Sequence, residues 1–242
     1  MKKLLFLFVV LITFFGCKKE EVIEENQSPS FQPEIIDLNA FASTASLQEN
    51  APQALVYLQQ VTGWMSLPSQ LMAIPENYEY IENARMGGGG DMQTYTWNYM
   101  GYSVIYTYGV EGSQYVFDYT CSVDGELYYE VSGWQYTDGS GGYWEWNSYL
   151  SAIYENMGLE FDEDMDYQGV FEWSYNNSYY EFNYSFDFMN YDYDMEGLIG
   201  PSSGEYYYYL NDALMYECSW TLSSGYFIMY DGKGGVTYEV NW

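Results

Sequence analysis

Histidine is missing from this sequence altogether, and lysine plus arginine amount to 6 residues against 35 aspartates and glutamates. The first absence removes the commonest general base and the commonest metal ligand. Ser-His-Asp, Cys-His and histidine-zinc chemistry are thereby excluded. The second removes the basic footprint that phosphate backbones and anionic headgroups require. From Cys17 onward only Lys18, Lys19, Arg85 and Lys233 stand against all 35 acids, a net charge of −31, and nucleic acid is not a partner. Cysteine is scarce at three residues. Long apolar runs are scarcer still: there is one, Leu4 to Phe15, broken only by Thr13. Its twelve residues fall short of the roughly 20 that a membrane-crossing helix needs.

What is present at the N-terminus has the layout of an export signal. Met1, Lys2 and Lys3 precede the apolar run, and Gly16 with Cys17 close it. The ending FFGC resembles the lipobox of bacterial envelope lipoproteins, and the following KKEEVIEE is similar to charged tags that send some of them to the outer surface. The resemblance implies cleavage after residue 16, lipidation at Cys17 and anchoring to the outer membrane with surface exposure. Residues 17 to 45, polar, acidic and without a sustained period, then read as a tether. Residues 46 to 242 form one β-rich domain.

That domain opens with helical spacing: Asn50 as a cap, Pro52 in the first turn, Leu55, Leu58, Val61 and Met65 on one face, and Gly63 near the end. A second short helix is expected from Ser66 to Ile74, and Gly87 to Gly90 reads as a joint. From Met92 the period changes to two. Aromatic residues alternate with polar ones, and glycine-bearing turns at 100, 111, 124, 138 and 231 recur at hairpin distances. One helical interruption runs from Asn147 to Met157. The expected fold is mainly β (α+β), an antiparallel meander of about twelve strands, as an open barrel or packed sheets, with a few short helices. Two similar halves, 46–146 and 147–242, are suggested by a shift of 76 that lays Tyr95, Trp97, Tyr99, Tyr106 and Tyr108 on Phe171, Trp173, Tyr175, Phe182 and Tyr184. A shift of 79 lays GELYYEV at 125 on GEYYYYL at 204.

The stretch Tyr180 to Met195 puts Tyr180, Phe182, Tyr184, Phe186 and Phe188 on one face and Glu181, Asn183, Ser185 and Asp187 on the other. Its phase slips at Phe188 and Met189, which predicts a bulge or tight turn. Cys121 and Cys218 share the aromatic register, so both sulfurs are expected in the core, either bridged by a disulfide or as two thiols. In the matched GE segments, Tyr128, Tyr207 and Tyr209 are expected to face outward beside carboxylates, an arrangement that stacks on sugar faces and accepts hydroxyl hydrogen bonds. Asp162, Asp164 and Asp166, and Asp192, Asp194 and Glu196 before Gly197, resemble the openings of calcium loops without completing them. No other cofactor is suggested.

The expected function is therefore a non-catalytic surface or periplasm-facing lipoprotein, held to the membrane by its lipid and binding a glycan, an envelope protein or an apolar ligand. For the apolar ligand the likeness is to open-barrel lipoprotein carriers. The alternatives are a structural or adhesion lipoprotein, an outer-membrane β-barrel, suggested by the alternating terminal VTYEVNW, and a glycosidase working with two carboxylates.

Overall fold

The computed structural model describes residues 41–65, 79–81, 92–99, 101–156, 158–159, 166–176 and 178–242. Helices α1 (Thr44–Asn50) and α2 (Pro52–Met65) come first. Strands β1 (Glu79–Ile81), β2 (Gln93–Tyr99), β3 (Tyr102–Glu111), β4 (Gln114–Val123), β5 (Glu126–Tyr136) and β6 (Gly141–Ser148) follow. After helix α3 (Leu150–Asn156) come β7 (Tyr167–Asn176), β8 (Tyr179–Phe188), β9 (Tyr191–Ile199), β10 (Ser203–Leu210), β11 (Ala213–Thr221), β12 (Gly225–Tyr230) and β13 (Val236–Asn241). All thirteen strands form one antiparallel meander in chain order, and β1 and β13 are its two edges. The mainly β class and the meander agree with the sequence reading. The sheet is open.

Cross-strand partners share a face, so the register sorts every residue into an inner or an outer row. On the inner face lie Tyr106, Phe117, Trp144, Phe182, Tyr206, Trp220 and Phe227, all essentially inaccessible to solvent and part of one continuous hydrophobic cluster. Trp144 meets Phe117 edge-on at 5.5 Å and Trp173 at 5.8 Å, and Phe171 stacks on Trp173 at 5.1 Å. Burial of each such ring contributes roughly 1.5 to 3 kcal/mol. Glycines make room for these rings. Gly142 pairs with Trp173, Gly169 with Trp146, Gly197 with Phe182 and Gly204 with Trp220. At each of these glycines an added Cβ would lie within 2.6 Å of the partner ring.

The helices cover the late strands. The phenol of Tyr206 donates to the Ala54 carbonyl at 2.9 Å, Tyr57 stacks on Tyr216 with centroids 4.3 Å apart, and the Trp242 indole N–H donates to Ser46 Oγ at 2.8 Å. Residues before 46 also contact this body. Phe41 packs on the core, and Ser43 Oγ donates to the Gly200 carbonyl at 2.6 Å. The sequence signal for α1 is weak because its apolar face is short. Asn50, read from sequence as a cap for the next helix, instead ends α1, and its amide donates back to the Ser46 carbonyl.

The phase slip after Phe188 is a tight turn. Met189 and Asn190 both take positive φ, 52° and 64°, and Phe188 pairs with Tyr191, the backbone of a two-residue hairpin loop. The two expected halves share this one continuous sheet. The sheet runs unbroken from β6 to β7, and the matched segments pair in different register: Tyr95 faces Tyr106, whereas Phe171 faces Tyr184 rather than Phe182. Cys17, the Ser66 to Ile74 helix, the Gly87 to Gly90 joint, Asp162 and Asp164 lie outside the described residues.

Candidate functional site: the outer face

Alternation along each strand places the polar residues of the sequence on one surface. Across β6 to β11 a single row reads Tyr143, Glu172, Asn183, Glu196, Tyr207, Glu217, each the register partner of the next. Neighbouring rungs are about 4.8 Å apart. Beside this row, between β7 and β10, the surface dips into a depression of about 430 Å³. Glu172, Asp194, Glu196 and Asp212 supply its carboxylates, Asn183 an amide and Tyr209 an aromatic wall. The Tyr209 hydroxyl donates to Glu196 Oε1 at 3.3 Å.

Carboxylates on this face take their hydrogen bonds from phenols and amides. Lys233, in the turn before β13, is the only basic residue among the described residues. Tyr230 donates to Glu217 Oε1 at 2.6 Å, Tyr149 to Glu130 Oε1 at 2.7 Å, and the Gln168 amide to Asp187 Oδ2 at 2.6 Å. Those bonds tie up the phenol proton. The pKa values of Tyr230 and Tyr149 rise to about 12, each chiefly because of the hydrogen bond to its glutamate. Tyr207 is pushed up first by burial and then by Glu205, Glu217 and Glu196 around it. The Asp192 carboxyl also rises, through burial and then the charges of Asp194, Asp187 and Asp212. This surface is uncompensated negative charge studded with rings, suited to hydroxyl or ammonium groups and hostile to anions.

Of the three tyrosines expected to face outward, two do. Tyr207 and Tyr209 lie in the outer rows, opposite Glu217 and Asp194. Tyr128 does not. The β4–β5 register slips after Cys121, pairing Cys121 with Tyr129 and Ser122 with Leu127, so Tyr128 is the extra residue of a β-bulge. Its ring packs on the core 5.5 Å from Tyr102, burial drives its phenol pKa up, and Leu127 takes a place opposite the outer Ser122. A one-residue bulge inverts the face of what precedes it, and GELYYEV alone carries no sign of it.

Cys121 and Cys218 are both buried, and both are free thiols. They sit on β4 and β11, seven strand spacings apart in the sheet, roughly 33 Å measured along it. Burial raises the Cys121 thiol to about 11 and Cys218 further. Asp192, Asp194 and Glu196 lie on one extended strand, β9, rather than in a loop. Successive acids are then about 6.6 Å apart along the chain, too dispersed to converge on one ion, and no three acids or cysteines among the described residues are grouped to hold a metal.

Sequence reasoning missed Glu172, Asn183 and Asp212. They join the site only through cross-strand register, which depends on turn lengths and bulges. Comparison of the chain with family models, curated proteins and solved structures gives no match.

Proposed function

We propose that the protein is an exported, lipid-anchored and non-catalytic binding module of the outer membrane surface, holding neutral or amine-bearing glycans on its outer face. The observation that carries this reading is the row Tyr143, Glu172, Asn183, Glu196, Tyr207, Glu217 beside the depression walled by Tyr209. Phenol rings offer flat apolar faces to sugar rings, while carboxylates and an amide accept and donate hydroxyl hydrogen bonds. Rungs at strand spacing repeat these groups along a line, as an extended polysaccharide would need. The lipid anchor rests on the FFGC sequence and Cys17.

The arrangement speaks against two alternatives. A lipid-facing barrel carries its apolar band outside, whereas this sheet has Glu130, Glu145, Glu172, Glu181, Glu205 and Glu217 in its outer rows and its rings within. An apolar-ligand carrier needs an open interior, and here interlocked rings fill the inner face. That filled core favours one second reading, a structural or adhesion role in which the outer face meets another envelope protein.

A glycan array presenting neutral, amine-bearing and uronate or sialylated chains tests the proposal. Binding to the first two classes and not to the anionic class is expected, weakened at least about tenfold by Tyr209→Ala, near the upper end of what one stacked ring supplies. Binding confined to anionic glycans, or no binding in any class, would overturn it.

A further inference from the structure

The sheet ends on β13, and the hydrogen-bond phase of that strand decides what its free side offers. The Trp242 amide donates to the Gly225 carbonyl at 3.1 Å, and the Gly225 amide donates back at 3.0 Å. These two residues are therefore a hydrogen-bonded pair. Pairs of this kind alternate along an antiparallel ladder, so Val240 with Phe227 and Tyr238 with Met229 share the phase. The backbone groups of Glu239 and Asn241 consequently point away from β12. No other strand among the described residues pairs with that side.

Exposed edges are ordinarily blunted by lysine, proline, brevity or a bulge. At the other end of the sheet β1 is only three residues long. Strand β13 has six residues, with neither lysine nor proline, and its only irregularity is the register shift that leaves Thr237 unpaired between Val236 and Tyr238. Val236 is 56% exposed and Tyr238 40% exposed. Tyr238 shares the inner row with Val240, which packs on the core, whereas the register shift turns Val236 to the outer row opposite Tyr230.

We propose that this edge joins two copies of the chain, β13 against β13, antiparallel about a two-fold axis through Val240. In that register Glu239 and Asn241 of one copy face Asn241 and Glu239 of the other, and their outward amides and carbonyls form four hydrogen bonds. The side chains agree with the backbone. On the outer face each carboxylate meets an amide, the same pair of groups that already bonds within one chain, where Asn241 Nδ2 donates to Glu239 Oε1 at 2.7 Å. On the inner face Val240 meets its own copy and Tyr238 meets Trp242, extending the apolar rows across the axis. A shift that centres the axis on Glu239 would oppose two carboxylates, which disfavours it. An isologous contact of this kind closes on itself and leaves no edge for further growth on that side. Each copy carries a charge of −29, so the copies repel at long range and salt strengthens the dimer by screening.

Sedimentation velocity on the full chain, over a concentration series at low and high salt, gives the test. A monomer–dimer equilibrium that shifts toward dimer with salt is expected, and Glu239→Pro or Asn241→Pro, which removes an outward N–H without touching the β12 ladder, should leave a monomer. A parallel hydrogen-exchange series on the parent reads the same contact without a variant. The Glu239 and Asn241 amides should become protected as concentration rises. A parent that stays monomeric throughout, a dimer untouched by either proline, or amides at 239 and 241 that exchange fast in the dimer would overturn the proposal.

Discussion

Gly204→Ala should lower the stability of the protein by about 3 kcal/mol or more, at the upper end of overpacking costs. A Cβ built on Gly204 would lie 2.2 Å from Cζ2 of Trp220 and 2.6 Å from Cη2. The indole has nowhere to retreat. It is 1% exposed and rests edge-on against Tyr206 at 6.2 Å, which is itself fixed by its bond to Ala54. In a β domain of this size each kcal/mol is worth roughly 2 to 4 °C, so the melting temperature should fall by roughly 6 to 12 °C. The double variant Gly204→Ala with Trp220→Leu should be markedly less unstable than the sum of the two single variants, because the smaller side chain vacates the space the methyl needs. Additive losses would mean that ring and glycine are not in contact. The same reasoning applies to Gly169 under Trp146 and Gly142 under Trp173, where the built Cβ approaches to 2.3 and 2.2 Å.

Alkaline pH should unfold the protein cooperatively, beginning just above the ordinary phenol range. Tyr129, Tyr184 and Tyr206 are buried on the inner face, and burial first, then neighbouring phenols or a thiol, raises each well above 10. The folded state therefore holds these protons more tightly than the unfolded chain does. Their contribution is complete below about pH 10 and is lost as the pH climbs from there toward the folded-state values. Each unit of separation is worth about 1.4 kcal/mol per phenol, and the three buried phenols act in the same direction. Tyrosinate absorbance followed beside circular dichroism should show two phases: exposed rings titrate first, and the remainder appear together with the loss of β signal. Full ionisation of all tyrosines with the β signal intact would contradict the burial described here.

The fold class was readable because aromatic alternation is strong and repeated. Tyr180 to Phe188 sorts into two faces on sight, and the positive-φ turn at Met189 and Asn190 sits where the alternation slips. Helix α2 starts at Pro52 as its sequence implies. Features set by pairing were not readable. The bulge that turns Tyr128 inward is a property of the β4–β5 ladder, and the six strands between those of Cys121 and Cys218 are a property of the sheet order. The calcium-like spacing of Asp192, Asp194 and Glu196 fits a strand as well as a loop, and the extended backbone disperses the ligands. The outer-face site was half legible for the same reason. Tyr207 and Tyr209 could be placed by alternation, but Glu172, Asn183 and Asp212 reach them only across strands.

One face of the sheet holds the fold, we propose that the other holds the ligand, and adjacent residues of β10 separate the two. Tyr206 is fully buried and bonded to Ala54, whereas Tyr207 stands between Glu196 and Glu217 on the outer face. Glycan titration and thermal melting of Tyr206→Ala and Tyr207→Ala, side by side with the parent, is the most direct test. Tyr206→Ala should cost roughly 3 to 5 kcal/mol as a large buried ring lost. Tyr207→Ala should melt within about 0.5 kcal/mol of the parent while losing most of its glycan affinity. A Tyr207→Ala protein that melts as low as Tyr206→Ala, or that binds glycan as the parent does, would contradict the account.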